Sequence, residues 1–432
     1  MGGERDSGLL RAVGPWGLAA NIVTNTVGAG IFALPAALAA ALGSYAVFAV
    51  LGCALVVGAV AVCFAEGGSR VATSGGVYGC IEAGLGPFAG YTAGVVLAVS
   101  DVLACGGVSA SLADIVGSLV PPPQREPVRL AVIIGVVGVV VLVNLGGVAR
   151  GAWLVTALTA LKLLPLAVFV AAGLPGVQGS HFAAPGGGAG LGHAVLLSLF
   201  AFVGMEGALS VSGEVADPAR NIPRALALAL GLVTVLYVAI QLISQGILGP
   251  ALAVSPAPLA DAAGRIHPAL RILMLAGGAL SMLGWLAGDL LASPRILFAV
   301  ARGGRLPRVL GRVHPRSRVP HVAILCYGLT AIALAISGTF AELAVLSALA
   351  SCIIYIGGCL AAGRLARAGV ARSGRPLGFP ALRAAMAVGI TGMLFMIALA
   401  SRAEILGLAA LLALCAAGYR LQARWAPAVG GS

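Results

Sequence analysis

Apolar residues gather along this chain in stretches of about 20, divided by short polar segments rich in glycine, proline and arginine. Twelve such stretches lie at roughly 14–37, 42–65, 86–112, 128–147, 152–173, 190–213, 224–248, 270–300, 320–338, 341–362, 380–400 and 403–422. Each is long enough to cross the ~30 Å hydrocarbon core as a helix, and none shows the alternation of a barrel strand. The pattern predicts an all-α integral membrane protein with about twelve transmembrane helices.

Two of the stretches have a weak centre. The first, Ala19 to Pro35, carries Gly28-Ala29-Gly30 at mid-depth and Pro35 soon after. Glycine and proline weaken a helix, and lipid has no water to satisfy the freed N–H and C=O groups. Either small residues pack closely on a neighbour, or the helix opens there toward a cavity. The sixth stretch has Gly204 and Gly207 flanking Glu206, a carboxyl at a depth where charge is expensive. Weak centres at corresponding places in two halves of a membrane protein point to a central binding site, and an odd number of helices per half inverts one half relative to the other.

Composition agrees with the hydropathy pattern. The 432 residues are 60% hydrophobic and 9% charged, with mean hydropathy +1.06, whereas soluble domains are about 25% charged. The N-terminus, residues 1–13, has Glu4 and Asp6 and no signal-peptide layout, and is expected to be a cytoplasmic tail. Eight scattered cysteines show no metal-ligand spacing and read as small buried hydrophobes, so neither metal nor cofactor is expected.

The formal charge of +12 invites a nucleic-acid reading, but its placement argues against one. With both termini inside, twenty arginines fall in cytoplasmic segments, including seven from Arg295 to Arg318, and five fall on the opposite face. This positive-inside bias sets topology in a cytoplasmic (inner) membrane, with anionic lipid as a secondary contact. One basic residue is left over: Lys162, the only lysine, lies inside the fifth stretch.

The string Val27-Gly28-Ala29-Gly30-Ile31-Phe32-Ala33-Leu34-Pro35 resembles the first-helix signature of amino-acid permeases in the amino acid–polyamine–organocation (APC) superfamily. So do Phe200-Ala201-Phe202-Val203-Gly204-Met205-Glu206, the segment Glu214 to Arg224, and Ser293 to Pro307. The resemblance covers stretches one to ten, and the last two only by hydropathy. It implies a leucine-transporter-type fold: two inverted five-helix repeats with helices 1 and 6 broken, plus two peripheral helices. On this chain the repeats fall at 14–173 and 190–362, the peripheral helices at 380–422 and a cytoplasmic tail at 423–432.

The resemblance also implies where substrate sits. The substrate carboxylate meets the backbone N–H groups of Gly28, Ala29 and Gly30; its ammonium meets carbonyls at Thr26 and around Phe200, Ala201, Phe202 and Val203. Free N–H groups at a half-helix N-terminus favour an anion, and free carbonyls a cation. Phe200 and Phe202, two apart, cannot share a helical face, so either one borders the cavity or both are packing residues.

Lys162 resembles the fifth-helix lysine that stands in for a sodium ion in proton-coupled and exchanger relatives, bridging helix 1 to helices 5 and 8; the plain alternative is a lysine that snorkels to the interface. Glu206 matches a proton-sensitive acid of antiporter relatives, or is a hydrogen-bonded carboxyl holding unwound backbone. Asp289 shares a face of the eighth stretch with Trp285 and Ser281. It is a candidate for a cationic side chain or a proton, or for a pair with Lys162. Asp101 is a further proton-coupling candidate, or bonds locally to Ser100 or Ser109. Glu66 with Arg70, and Glu214 or Asp217 with Arg220, are either opening cytoplasmic ion pairs or plain solvated charge.

No Gly-x-Ser-x-Gly, His-Glu-x-x-His or phosphate-binding loop is present, which argues against an enzyme, and no rings of filter residues suggest a channel. The expectation is a secondary carrier for amino acids working by alternating access, proton-coupled and sodium-independent. An amino acid/amine exchanger is the alternative, and a non-transporting amino-acid receptor a second one. The expected partners are a small amino acid or amine, a proton and membrane lipid, without nucleic acid, in a monomer or homodimer.

Overall fold

The computed structural model describes residues 14–71, 76–117, 119–147, 162–182, 190–206, 215–372 and 376–425. These residues form helices and turns, with no β-strand among them. The first half contains α1 (Pro15–Thr26), α2 (Gly30–Leu42), α3 (Ala46–Arg70), α4 (Gly76–Leu85), α5 (Pro87–Gly117), α6 (Arg125–Leu145) and α7 (Lys162–Gly176). The second contains α8 (Leu191–Phe202), α9 (Pro218–Leu248), α10 (Pro258–Ile266), α11 (Pro268–Ala292), α12 (Pro294–Arg302) and α13 (His321–Ser337). It closes with α14 (Phe340–Arg367), α15 (Leu382–Ala398) and α16 (Arg402–Trp425).

Among the described residues seven helical segments are long and apolar enough to cross a membrane, and α1 with α2 makes an eighth as a bent pair. Four shorter apolar helices, α7, α8, α13 and α15, complete the set. Each of the twelve predicted stretches therefore contains a helix. The first half of the fifth stretch (152–161) and the end of the sixth (207–213) lie outside the described residues, as do both chain ends (1–13 and 426–432).

Beyond the second stretch, α3 runs on to Arg70, and α4 begins at Gly76. Glu66 and Arg70, an i,i+4 pair on α3, explain the extension. The connection between α5 and α6 contains a 3-10 turn at Pro122–Gln124, and α10 is an additional short helix between the seventh and eighth stretches.

Proline sets the start of α1, where its fixed φ suits the first helical position. The helix ends at Thr26 because Val27 turns to extended backbone (φ −78°, ψ 91°). Three residues later α2 begins at Gly30, and the two axes differ by 54°. Pro35, the other suspect, stays inside α2. The kink therefore falls at the glycines.

At the centre, α5 packs on α14, and these are the most buried of the long segments. Ser100 on α5 meets Ser347 and Ser351 on α14, at 3.0 and 2.9 Å between hydroxyls, a polar link of the kind that joins helices where no hydrophobic drive operates. Around this pair α3 and α1 pack on α9, and α2 packs on α8. The last helix, α16, is the most exposed, with 11% of its apolar window buried. Its open surface suits lipid contact.

Candidate functional site: a cavity at the helix break

The bend between α1 and α2 opens on a cavity of about 330 Å³, walled by α5, the end of α8 and α11. Close approach of three backbones makes it. A Cβ on Gly204 would lie 2.5 Å from the Asn25 carbonyl oxygen, and one on Gly30 would lie 3.0 Å from Ala201 Cα. Gly204 also has φ +117°, which only glycine adopts readily, so α8 ends at Phe202 with the chain turning across the end of α1.

The backbone at the bend has unused donors. Val27 N–H still closes on Val23 at 2.8 Å, and the next amide to find a backbone carbonyl is Phe32, bonded to Ala29 at 3.0 Å. The N–H groups of Gly28, Ala29 and Gly30 thus stand at the start of α2 without a backbone partner among the described residues. All three residues line the cavity. Such a terminus carries partial positive charge and suits a carboxylate.

The carbonyls are more occupied than the sequence suggests. Tyr237, fully buried on α9, donates to Ala201 O at 2.8 Å and lies 3.2 Å from Thr26 O, joining the end of α8 to the end of α1. Trp285 Nε1 donates to Asn25 O at 3.0 Å, and its ring lies against Gly28. Thr26 itself lines the cavity, and its own hydroxyl has no partner among the described residues.

Phe200 and Val203 are in the wall, while Ala201 and Phe202 are not. Helical periodicity turns those two away: Ala201 packs on Gly30, and the Phe202 ring meets Tyr237 edge-on, 5.2 Å between centroids. Trp285 and Asp289 line the cavity from α11, but Ser281, one turn earlier on that face, is buried behind it.

Lys162 is also behind the wall, wholly buried. Its amine donates to the carbonyls of Thr24 and of Val27, the latter at 2.9 Å, so α7 is tied to the end of α1. A lysine snorkelling to the interface is excluded by this geometry. The pairing with Asp289 weighed from sequence is not formed either. Asp289 instead accepts from Tyr327 at 2.7 Å and from Ser293 at 2.8 Å, because its face of α11 turns toward α5 and α13. Among the described residues the amine bonds to the end of α1 and not to α11, so the expected bridge joins helices 1 and 5 without the eighth.

Glu206 follows the Gly204 turn and is buried. Both its oxygens lie 3.1 Å from Gly204 N–H, and Tyr355 on α14 donates to it at 2.8 Å. The carboxyl thereby fastens the turn to the central helix. Asp101 reaches neither Ser100 nor Ser109, the local partners considered for it. Ser100 bonds into α14, Ser109 bonds back to Cys105, and Asp101 contacts Ser293.

The ion pairs weighed from the sequence differ from expectation. Glu66 and Arg70 meet at 2.7 Å but are buried, not solvated. They anchor the α14–α15 connection, with Arg70 donating to Val370 O at 3.0 Å and Phe379 N–H donating to Glu66 at 3.1 Å. Glu214 lies outside the described residues, and Asp217 caps α9 through its backbone carbonyl, without an ion pair to Arg220 among the described residues.

Sequence reasoning missed Tyr237, Tyr327, Tyr355 and Ser293. A phenol inside an apolar stretch was the available signal, since a buried Tyr hydroxyl usually has a partner.

This is a multi-pass, helical membrane protein with a cavity at a helix bend. The sequence model of the family described as "Amino acid permease" matches residues 13–414, and the chain belongs to that family. An uncharacterised transporter of Mycobacterium tuberculosis is 35% identical over 322 residues, covering 72% of this chain and 70% of that one. The branched-chain amino acid permease BcaP of Bacillus subtilis is 27% identical over 357 residues, 75% of this chain and 74% of its own. The serine/threonine exchanger SteT of the same organism is 28% identical over 332 residues, 74% and 75% of the two chains.

Proposed function

We propose that this permease is a secondary carrier that moves amino acids across the cytoplasmic membrane by alternating access, coupled to protons and independent of sodium. The reading takes the twelve helices as two inverted five-helix repeats plus two peripheral helices, with helices 1 and 6 broken and both termini cytoplasmic. The amino acid's carboxylate meets the N–H groups at Gly28, Ala29 and Gly30, and its ammonium takes the remaining lone pairs at Thr26 and around Phe200 and Val203. Phe200 closes over the ligand. The two relatives are named for branched-chain amino acids and for serine and threonine, all neutral, and a cavity of about 330 Å³ lined mostly by uncharged residues suits that class.

The observation that supports coupling is the Lys162 amine on the Thr24 and Val27 carbonyls. A charge buried there is tolerated only while those carbonyls are in place, and they are in place only while α1 keeps its present ending. Loss of the proton frees α1, so protonation and the position of α1 are linked.

Uptake into liposomes containing the purified protein tests this directly. Accumulation of a neutral amino acid driven by an inward proton gradient, unchanged when sodium is removed, is expected. Uptake that follows a sodium gradient overturns the coupling. Exchange is the second reading, favoured by the likeness to a serine/threonine exchanger. It requires that uptake depend on amino acid preloaded inside the vesicle.

A further inference from the structure

Ser293 stands where α11 passes into α12, and its hydroxyl touches two carboxyls at once. Asp101 Oδ2, on α5, is 2.8 Å away, and Asp289 Oδ1, one turn back on α11, is also 2.8 Å away. A hydroxyl has one proton to give. When it goes to one carboxylate, the other contact sets lone pair against lone pair, unless that carboxyl is protonated and donates to the serine oxygen. Tyr327 favours one direction, because it donates to the second oxygen of Asp289 at 2.7 Å and so helps hold that carboxyl ionised. In that arrangement Asp101 donates to Ser293, Ser293 donates to Asp289, and the ionised Asp289 has two donors, Ser293 and Tyr327.

The other titratable groups facing these carboxyls are Cys105 on α5, beside Asp289, and Glu206 across the cavity. Neither aspartate makes an ion pair among the described residues. A second, independent feature marks the same cavity as a ligand site: Thr26 is 3% exposed, lines it, and keeps a hydroxyl without a partner among the described residues.

We infer that Asp101 and Asp289, bridged by Ser293, are one proton-binding site in the wall of the substrate cavity, holding a single proton between them. Ser293 is its positioning residue. Release sends the Asp101 proton into cavity water and takes the charge of the pair from −1 to −2. The Ser293 hydrogen then satisfies only one carboxylate, and the repulsion that remains pushes α5 from the α11–α12 junction. The use of this proton in transport rests on the carrier reading above; its existence does not.

Infrared spectra of the full-length protein in lipid vesicles, titrated with pH and without substrate, read the C=O stretch of protonated carboxyls. A band is expected that is lost in D101N and kept in E206Q. D101N retains the hydrogen-bond chain, since its amide N–H donates to Ser293, so a lost band is not a folding failure. In S293A the pH range over which the pair holds one proton narrows by at least about ten-fold in proton concentration, because only the singly protonated state uses the bridge. A band unchanged in D101N, a band lost in E206Q alone, or an S293A titration that overlies the wild type overturns the inference. Thermal melting of the same samples with amino acids tests the carrier reading separately. Failure of every amino acid to stabilise the wild type sinks that reading and leaves the infrared result to decide the pair.

Discussion

The side-chain nitrogen of Lys162 lies 2.9 Å from the backbone carbonyl of Val27, the residue at which α1 ends. A helix terminus leaves carbonyls without partners, and in a membrane interior no water replaces them. The amine answers two of them, at Thr24 and Val27.

Replacing Lys162 by alanine leaves both carbonyls without that donor, at about 1–3 kcal/mol each. The expected result is a lower melting temperature in detergent, and proton-driven uptake that is strongly reduced or no longer changes with pH. Full proton-driven uptake with an unaltered pH profile would remove Lys162 from the coupling mechanism.

Tyr237→Phe keeps the ring against Phe202 and deletes only the hydroxyl that joins Ala201 O to Thr26 O. Stability should fall by about 1 kcal/mol. Transport should fall by more than that loss implies, about an order of magnitude or more, because the two chain ends that frame the cavity lose their common anchor. Equal kinetics for Tyr and Phe would reduce this residue to packing.

Two glycines give different outcomes on substitution. Gly204→Ala puts a Cβ 2.5 Å from the Asn25 carbonyl oxygen at a φ of +117°, and should destabilise the fold by more than about 2 kcal/mol. Gly30→Leu should block amino-acid binding, read as loss of ligand-dependent thermal stabilisation. Unchanged affinity in Gly30→Leu would take the α1–α2 bend out of the binding site.

Glu66→Ala strands a buried guanidinium and frees the Phe379 N–H, so a cost of about 3–5 kcal/mol is expected, in contrast to the small effect of an exposed pair. A double-mutant cycle with Arg70→Met measures the coupling by denaturation. Additive effects would show that the pair contributes nothing beyond its separate contacts.

Sequence by itself determined the helical membrane class, the twelve apolar stretches and the first helix's interruption, because hydropathy and glycine content are local properties. It also singled out Lys162, since one amine in an apolar stretch stands out without any knowledge of neighbours. Only the tertiary structure decided what the polar groups do. Asp289 lies on the face of α11 that its spacing from Trp285 predicts, yet its partners are Tyr327 and Ser293 and not Lys162. Periodicity fixes which way a side chain leaves its own helix, while its hydrogen-bond partner depends on which helix packs there. For the same reason Glu66 and Arg70 look like surface charge in the sequence and are buried in the fold, under a connection about 300 residues further along the chain. Tyr237, an ordinary tyrosine in an apolar stretch, becomes the staple between α1 and α8 only because α9 packs where both helices end.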